Sequence, residues 1–387
     1  MIDDLARLTP DLASLGWDDE LGDWATEVMA DVEHEPAQIV RGRIAQVSRG
    51  YSLVFTGADA VLAASASIRS QAETDPATGD FAVVVDGGSG DAADDGPVLA
   101  AIAPRRSALM RRAAGRVPEP QVLAANVDDV FVMHGLDREL NIRRIERQLV
   151  VAWQSGAEPV VVLTKADASD DVDDAVASVR AVAPGVEVLA VSTVSGRELD
   201  RVTERVAPGR TVAMLGLSGI GKSTLVNALT DGVVQRTGEV RASDGRGRHT
   251  TVTRDLIPVP DGGFIIDTPG IREIGLWQAY DGLDRTFPEI AGEVMRCRFA
   301  DCEHRSEPGC AVQAALADGL IPHRRLEHWR DLLAELALQE QQLEEFARRS
   351  ESRDRAEAER RRDDERSNTR RRSRSDQRRK RRGGGRR

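Results

Sequence analysis

The nine residues Gly216-Leu-Ser218-Gly219-Ile220-Gly221-Lys222-Ser223-Thr224 have the spacing G-x-x-x-x-G-K-S/T. Glycines at those places let backbone N–H groups close around phosphate oxygens, Lys222 neutralises the β and γ phosphates, and the Ser223 hydroxyl ligates Mg²⁺. The loop comes after the apolar run Thr211 to Leu215 and precedes Leu225-Val-Asn-Ala-Leu229, so a strand and a helix are predicted on either side of it. A second run, Phe264 to Ile266, ends in Asp267-Thr-Pro-Gly270, of the form D-x-x-G. An acid there holds Mg²⁺ through water, and Gly270 lets its N–H approach the γ phosphate. D-x-x-G alone is a common turn. Between the two lies Gly245-Arg-Gly-Arg-His249-Thr250-Thr251, whose position and terminal hydroxyls suit the Mg²⁺-binding switch loop of a GTPase.

Choice of base needs a different group. Pro159 to Leu163 is an apolar run ending in Thr164-Lys165-Ala166-Asp167, a T-K-x-D pattern close to the N-K-x-D that reads guanine. The Asp167 carboxylate accepts the N1–H and the exocyclic amine, a pairing adenine cannot offer, while the Lys165 stem lies along the ring. Ser192-Thr193 come after the next run, where a backbone N–H reaches guanine O6. The order of these motifs is the informative part. In an ordinary GTPase the phosphate loop comes first and the guanine motif last, whereas here T-K-x-D and Ser192-Thr193 precede the loop, the switch and D-T-P-G. The domain is therefore circularly permuted, and the switch region lies directly upstream of the module that begins after Gly270.

That next module contains Cys297-x4-Cys302-x-His304-x5-Cys310. Three thiolates and an imidazole complete a closed tetrahedral Zn²⁺ shell of the structural kind. The alternative is three buried free thiols beside a chance histidine. All three cysteines of the chain fall in this window, an odd and clustered count that argues for metal rather than a disulfide scaffold.

These groups must be positioned by more than one domain, because 387 residues with 41% hydrophobic content exceed a single core. Residues 1–36 read as a loosely ordered acidic lead-in. From 37 to 120, short β-prone runs at Ile39 to Val47, Tyr51 to Phe55, Ala60 to Ala64 and Phe81 to Val85 alternate with Gly and Asp turns, the pattern of a small OB-type barrel. Strands alternate with helices over 121–282, including a helix at Asn141 to Ser155 and another at Val172 to Val182, which predicts a parallel sheet wrapped by helices. Residues 283–349 read as a small helical zinc-binding domain. The fold class is thus multi-domain: barrel, permuted α/β GTPase domain and zinc domain.

Net charge is −11, but the Arg-rich tail from Arg366 to Arg387 alone carries +11, which leaves −22 for residues 1–365. Residues 350–387 are predicted as a disordered arm of the kind that meets nucleic acid, with a solvated solubility tail as the alternative. Gln71 to Ala103 carries seven acids and no Lys or Arg, so that part of the barrel repels a phosphate backbone. Of 53 basic residues three are lysines, and two of these, Lys165 and Lys222, sit in the nucleotide motifs. No run of about 18 apolar residues exists, and Met1 to Leu12 lacks the order of a signal peptide, so a cytoplasmic protein with no membrane partner, and a monomer, is expected.

Taken together, T-K-A-D, G-L-S-G-I-G-K-S-T, G-R-G-R-H-T-T, D-T-P-G-I-R-E and the cysteine cluster after a small β domain closely resemble the ribosome small-subunit-dependent GTPase A family. The likeness spans about Ala37 to Leu343. It implies GTP/GDP as ligands with Mg²⁺ (Ser223, Thr250, Thr251, Asp267), one structural Zn²⁺, and late maturation of the small ribosomal subunit, whose binding through its rRNA stimulates hydrolysis. Thr164 stands where that family usually has Asn, which implies a shorter or lost contact near guanine N7. An RNA-binding protein with a merely structural nucleotide is the alternative reading, and an ATP-using enzyme is disfavoured by Asp167. Ile271 after D-x-x-G cannot orient water, so unassisted turnover should be slow. His249 resembles the family's proposed water-positioning residue; the alternative is a plain RNA or solvent contact. His249→Ala is expected to abolish stimulated hydrolysis and spare GTP binding; loss of both in one titration would remove the catalytic assignment.

Overall fold

The computed structural model describes residues 11–30, 39–57, 59–65, 75–85, 96–112, 120–230, 255–267 and 275–349. Its first element corrects the expectation of a loose lead-in. Asp19–Ala30 (α1) is a helix, begun by Asp18, whose carboxylate accepts the Leu21 N–H at 3.0 Å. Leu15, Leu21 and Ala25 are buried, and Trp17 meets Phe81 edge to face at 5.6 Å. The acids that suggested a solvated segment include Asp19 and Glu20, which favour the positive end of the helix.

The β-prone runs form a closed barrel of β1 (Ile39–Ser48), β2 (Tyr51–Phe55), β3 (Ala60–Ala64), β4 (Phe81–Val85) and β5 (Val98–Ile102), in the order β1-β2-β3-β5-β4. This is the small barrel expected, with a fifth strand, β5, unforeseen at the end of the acid-rich stretch. All its pairings are antiparallel except β3 with β5, whose single pairing of Ala64 with Val98 closes the ring. Ile44, Val54, Ala63, Ala82, Val84 and Leu99 fill the inside.

A hairpin of β6 (Ala108–Arg112) and β7 (Pro120–Ala125) leads to the main sheet. Its strands are β8 (Asp129–Gly135), β9 (Glu158–Thr164), β10 (Glu187–Ala190), β11 (Thr211–Leu215), β12 (Asp255–Pro258) and β13 (Phe264–Asp267), ordered β10-β9-β8-β11-β13-β12. All are parallel but β12, which runs antiparallel to β13 along one edge. Val130, Val132, Val161 and Leu163 join the core on one face; Phe131, Met133, Val160 and Val162 join the core on the other. Burial on both faces is why these strands read as unbroken apolar runs. From β8 the chain steps outward to β9 and β10, then returns to β11 and steps the other way. The crevice at the carboxyl ends of β8 and β11 is thus the topological switch point where α/β sheets bind ligands.

Helices α2 (Ile142–Gln154), α3 (Val172–Arg180), α4 (Leu199–Arg205) and α5 (Lys222–Leu229) connect the strands. Asn141 caps α2, its side chain accepting the Arg144 N–H at 3.0 Å. Beyond the sheet come α6 (Tyr280–Thr286), α7 (Pro288–Val294), α8 (Ala311–Ala317) and a long helix over 323–349 (α9). Arg325 of α9, 3% exposed, locks these to α2: it donates to Glu146 at 2.8 Å and Glu289 at 2.5 Å, and to the carbonyls of Val182 and Thr286 at 2.9 Å each.

At the opposite junction, the Arg43 guanidinium of β1 is 1% exposed and donates to Gly79 O at 3.1 Å, Leu15 O at 2.9 Å and Asn126 O at 2.9 Å. It also lies over the rings of Phe81 at 4.7 Å and Phe264 at 5.6 Å. Burial brings its pKa down to about 10, so it is charged at neutral pH. Truncation would leave the carbonyls of Leu15 and Asn126 without their donor, while Gly79 O keeps the Asn126 amide at 3.1 Å. Arg43→Ala is expected to cost about 2–6 kcal/mol in urea unfolding, about 1–3 kcal/mol for each carbonyl left bare; a cost below about 1 kcal/mol would mean that the carbonyls find other donors.

Candidate nucleotide site and metal centre

The phosphate loop leaves β11 at Gly216, where a Cβ would overlap the Ile220 side chain and lie 2.8 Å from Met133 O. Only glycine fits there. Ile220 is 3% exposed and pins the loop into the core, so its contribution to a ligand is through the backbone. Ser218, Gly219, Ser223 and Thr224 are exposed at the mouth of the loop, and Gly221, at φ 102, starts α5. The Lys222 ammonium lies within the loop, donating to the carbonyls of Gly216 at 2.7 Å and Leu217 at 2.8 Å.

The T-K-x-D segment converges on this loop. Lys165, left-handed at φ 57, extends its ammonium to Gly219 O at 2.8 Å. The Thr164 hydroxyl reaches the Ile220 carbonyl, with His134 O at 3.2 Å as its other acceptor. Asp167 is held by the Ser192 hydroxyl at 2.5 Å, and Ser192 Oγ in turn accepts the N–H groups of Val194 at 3.2 Å and Ser195 at 3.1 Å. One carboxylate oxygen of Asp167 is thereby fixed, which orients the other. A cleft of about 220 Å³ joins Thr164, Lys165, Asp167 and Thr193 to Gly221 and Thr224. A larger cavity of about 390 Å³ at the start of α2, lined by Asn141, Arg143 and Arg324, contains none of the predicted site residues.

Asp267 ends β13 at the phosphate side. Burial raises its carboxyl pKa, Lys222 opposes the shift and Asp255 adds to it. His249, Thr250, Thr251 and Gly270 lie outside the described residues, as does the tail after position 349.

The four metal-ligand candidates come together. The ligand atoms of Cys297, Cys302, His304 and Cys310 lie within 4.8 Å of one another. Cys297 Sγ is 3.4 Å from His304 Nδ1 and 3.9 Å from Cys310 Sγ, and Cys310 Sγ is 3.7 Å from the same nitrogen. A tetrahedral zinc with bonds of about 2.0–2.3 Å has edges of about 3.3–3.8 Å, so the donor set fits zinc in chemistry and three of its four atoms stand near that spacing. His304 adopts φ 58, and its ring stands edge to face on Trp329 at 5.7 Å. Its carbonyl accepts from Gln313 Nε2 at 2.6 Å and from Arg330. A strained residue held from three sides is what a preformed ligand requires.

Comparison with known proteins leads to the same motifs. The family model described as RsgA GTPase matches residues 102–277. A small ribosomal subunit biogenesis GTPase RsgA of Streptomyces coelicolor is 44% identical over 331 residues, covering 84% of this chain and 86% of its own. This chain belongs to the RsgA GTPase family. Among solved structures, YjeQ from Thermotoga maritima aligns with a TM-score of 0.58 at 25% identity, over 77% of this chain and 99% of that one. YloQ, described as a circularly permuted GTPase, aligns at 0.55 and 23% over 79% and 98%. The permuted order read from the motifs is therefore that of a known fold. As an RsgA GTPase the chain is a GTP-hydrolysing enzyme, and its family implies Mg²⁺ with the nucleotide.

Motif reading missed one residue of this RsgA site. Asp137, two positions beyond β8, holds the Lys165 ammonium at 2.8 Å, and Arg138 and Lys165 together keep its carboxyl well below the usual carboxylate range. The available signal was its place after a buried strand at the switch point. Gly135 belongs with it, since a Cβ there would lie 2.5 Å from Asp137 Oδ1. For the metal centre, purified protein is expected to hold one zinc per chain by elemental analysis. Cys310→Ser should lose it and melt at least roughly 5 °C lower; a metal-free wild type with an unchanged melting point would leave the free-thiol reading standing.

Proposed function

We propose that this enzyme acts in late maturation of the small ribosomal subunit, binding the subunit and its rRNA and hydrolysing GTP faster when bound. The observation that carries the nucleotide part is the cleft where the carboxylate of Asp167 and the phosphate loop at Gly221 meet. The subunit part rests on relatives named as small ribosomal subunit biogenesis GTPases. Localisation is cytoplasmic in this reading and the working species a monomer; no helix among the described residues is long and apolar enough to cross a membrane.

The proposed GTP contacts are Thr164, Lys165, Asp167, Ser192, Thr193, the loop Gly216 to Thr224, Asp267 and Gly270. Asp167 selects guanine, and Lys165 covers the ring while tying it to Gly219. Bound Mg²⁺, held by Ser223, Thr250, Thr251 and Asp267, would neutralise charge on the β and γ phosphates. Support for these two ligands is that Ser223 is exposed at the first turn of α5 and Asp267 stands at the end of the neighbouring strand. Lys222 shares that charge. His249 positions the attacking water once the subunit orders its loop, in place of the hydrogen bond that Ile271 cannot make.

The working parts are proposed as a lead-in at 1–36, the barrel at 37–120, the permuted GTPase domain at 121–282, the zinc domain at 283–349 and the tail at 350–387. One Zn²⁺ staples the zinc domain, and the +11 tail adds salt-dependent attraction to rRNA phosphates. Phosphate release from GTP and from ATP, with and without small subunits, at low and physiological salt, tests the whole. GTP-specific release rising at least about tenfold with the subunit is expected. Tight GTP binding with no stimulation would favour an RNA-binding protein whose nucleotide is structural.

A further inference from the structure

The barrel packs against the edge of the main sheet that carries the phosphate-end acid. Gly79 of the barrel lies so close to Ala125 O and the Ile266 side chain that a Cβ would not fit, and Arg43 covers Phe264. β1 also makes a polar contact with β12. The Gln46 amide donates to Asp255 Oδ1 at 2.5 Å, joining residues 209 apart in sequence.

Gln46 points there because β1 carries a bulge. Ile44 pairs with Val54 and Gln46 with Leu53, which leaves Ala45 as the extra residue. Ile44 fills the barrel, Ala45 packs in the core shared with the main sheet, and Val47 again packs on the barrel interior. Strict alternation would have turned Gln46 inward between them. The bulge instead gives two successive outward residues, and such re-aiming of a side chain is what bulges do beside functional sites.

Asp255 is not an ordinary surface acid. In the antiparallel pair it stands directly opposite Asp267, so both carboxylates project from the same face of neighbouring strands. Like charges so placed repel unless something fixes them. Asp255 is also the first residue of β12, next in sequence to segment 231–254 with its proposed switch, as Asp267 is next to the rest of D-x-x-G.

We propose that Gln46 is a positioning residue of the GTPase reaction: by holding Asp255 opposite Asp267 it ties the barrel to both strands that flank the phosphate end of the site. A partner that loads the barrel thereby acts on the arrangement of Asp267. The inference rests on the subunit-stimulated GTPase reading above.

The test uses full-length protein and measures hydrolysis alone and across a titration of small subunits, with thermal unfolding as a control for folding. Gln46→Ala and Gln46→Glu should keep basal turnover and the subunit concentration for half-maximal effect, yet lower the stimulated kcat about tenfold, within the span of ordinary site-to-site coupling. Gln46→Lys, which retains a donor for Asp255, should stay within about threefold of wild type. Asp255→Asn in the Gln46→Ala background should lose less than the sum of the two single losses, because both variants remove the same contact. A Gln46→Ala enzyme with wild-type stimulated kcat would overturn the proposal while leaving the function intact, as would equal losses in Gln46→Lys and Gln46→Glu. A wild-type enzyme not stimulated by the subunit would overturn the function reading and this coupling with it.

Discussion

A single buried guanidinium constrains how the first half of the chain can be arranged. Arg43 belongs to the barrel, yet its three acceptors are Gly79 within the barrel, Leu15 in the segment before α1, and Asn126 at the approach to the main sheet. A charged group in a dry junction is tolerable only when every donor is aimed at an acceptor. Three pieces of chain that could each drift are therefore held in one relative position, with Phe81 and Phe264 closing the faces of the guanidinium. Planar geometry makes Arg suitable where Lys would fail, because one fork supplies several donors in fixed directions.

The second half of the chain uses the same device with opposite charges present. Glu146 of α2 is buried, and its two oxygens are taken by Arg325 at 2.8 Å and by the His328 ring at 2.5 Å. Arg325 also stacks on Phe287 at 4.6 Å. The helix that starts after β8 is thereby fastened to the long helix that comes after the cysteine cluster. Both ends of the permuted domain are thus anchored through buried arginines, and the nucleotide cleft lies on a sheet whose two flanking modules are fixed to it.

Chemistry repeated at fixed spacing was legible in the sequence. The phosphate loop, T-K-x-D and the cysteine window each require particular residue types at particular offsets, and the structure brings the described members of each together. Strands β1 to β4 of the barrel and β11 and β13 of the sheet were legible as apolar runs, whereas β5, the β6–β7 hairpin and β12 were not. What escaped detection depended on contacts far apart in the chain. Arg43, Gln46 and Arg325 look like any surface polar residue until the fold surrounds them, and the bulge at Ala45 exists only relative to β2. The helix α1 was hidden by its own acids, which composition assigns to solvent although they occupy the favourable end of a helix. Asp137 escaped because no motif reaches across from β8 to the lysine of β9.

Thr164 shows how far a motif departure can be understood from geometry. A hydroxyl has one proton to donate, whereas the amide of Asn has two. Here that proton has two acceptors to choose between, Ile220 O in the phosphate loop and His134 O at the end of β8. Either choice ties the base-reading strand to the backbone beside it, so the part of the Asn role that joins the two halves of the site is within reach of the shorter side chain. What a hydroxyl directed at those carbonyls cannot also do is present a donor to the base. The shorter residue therefore favours the integrity of the cleft over direct base contact, and in the proposed reading the choice of guanine rests more heavily on Asp167, one of whose oxygens Ser192 holds.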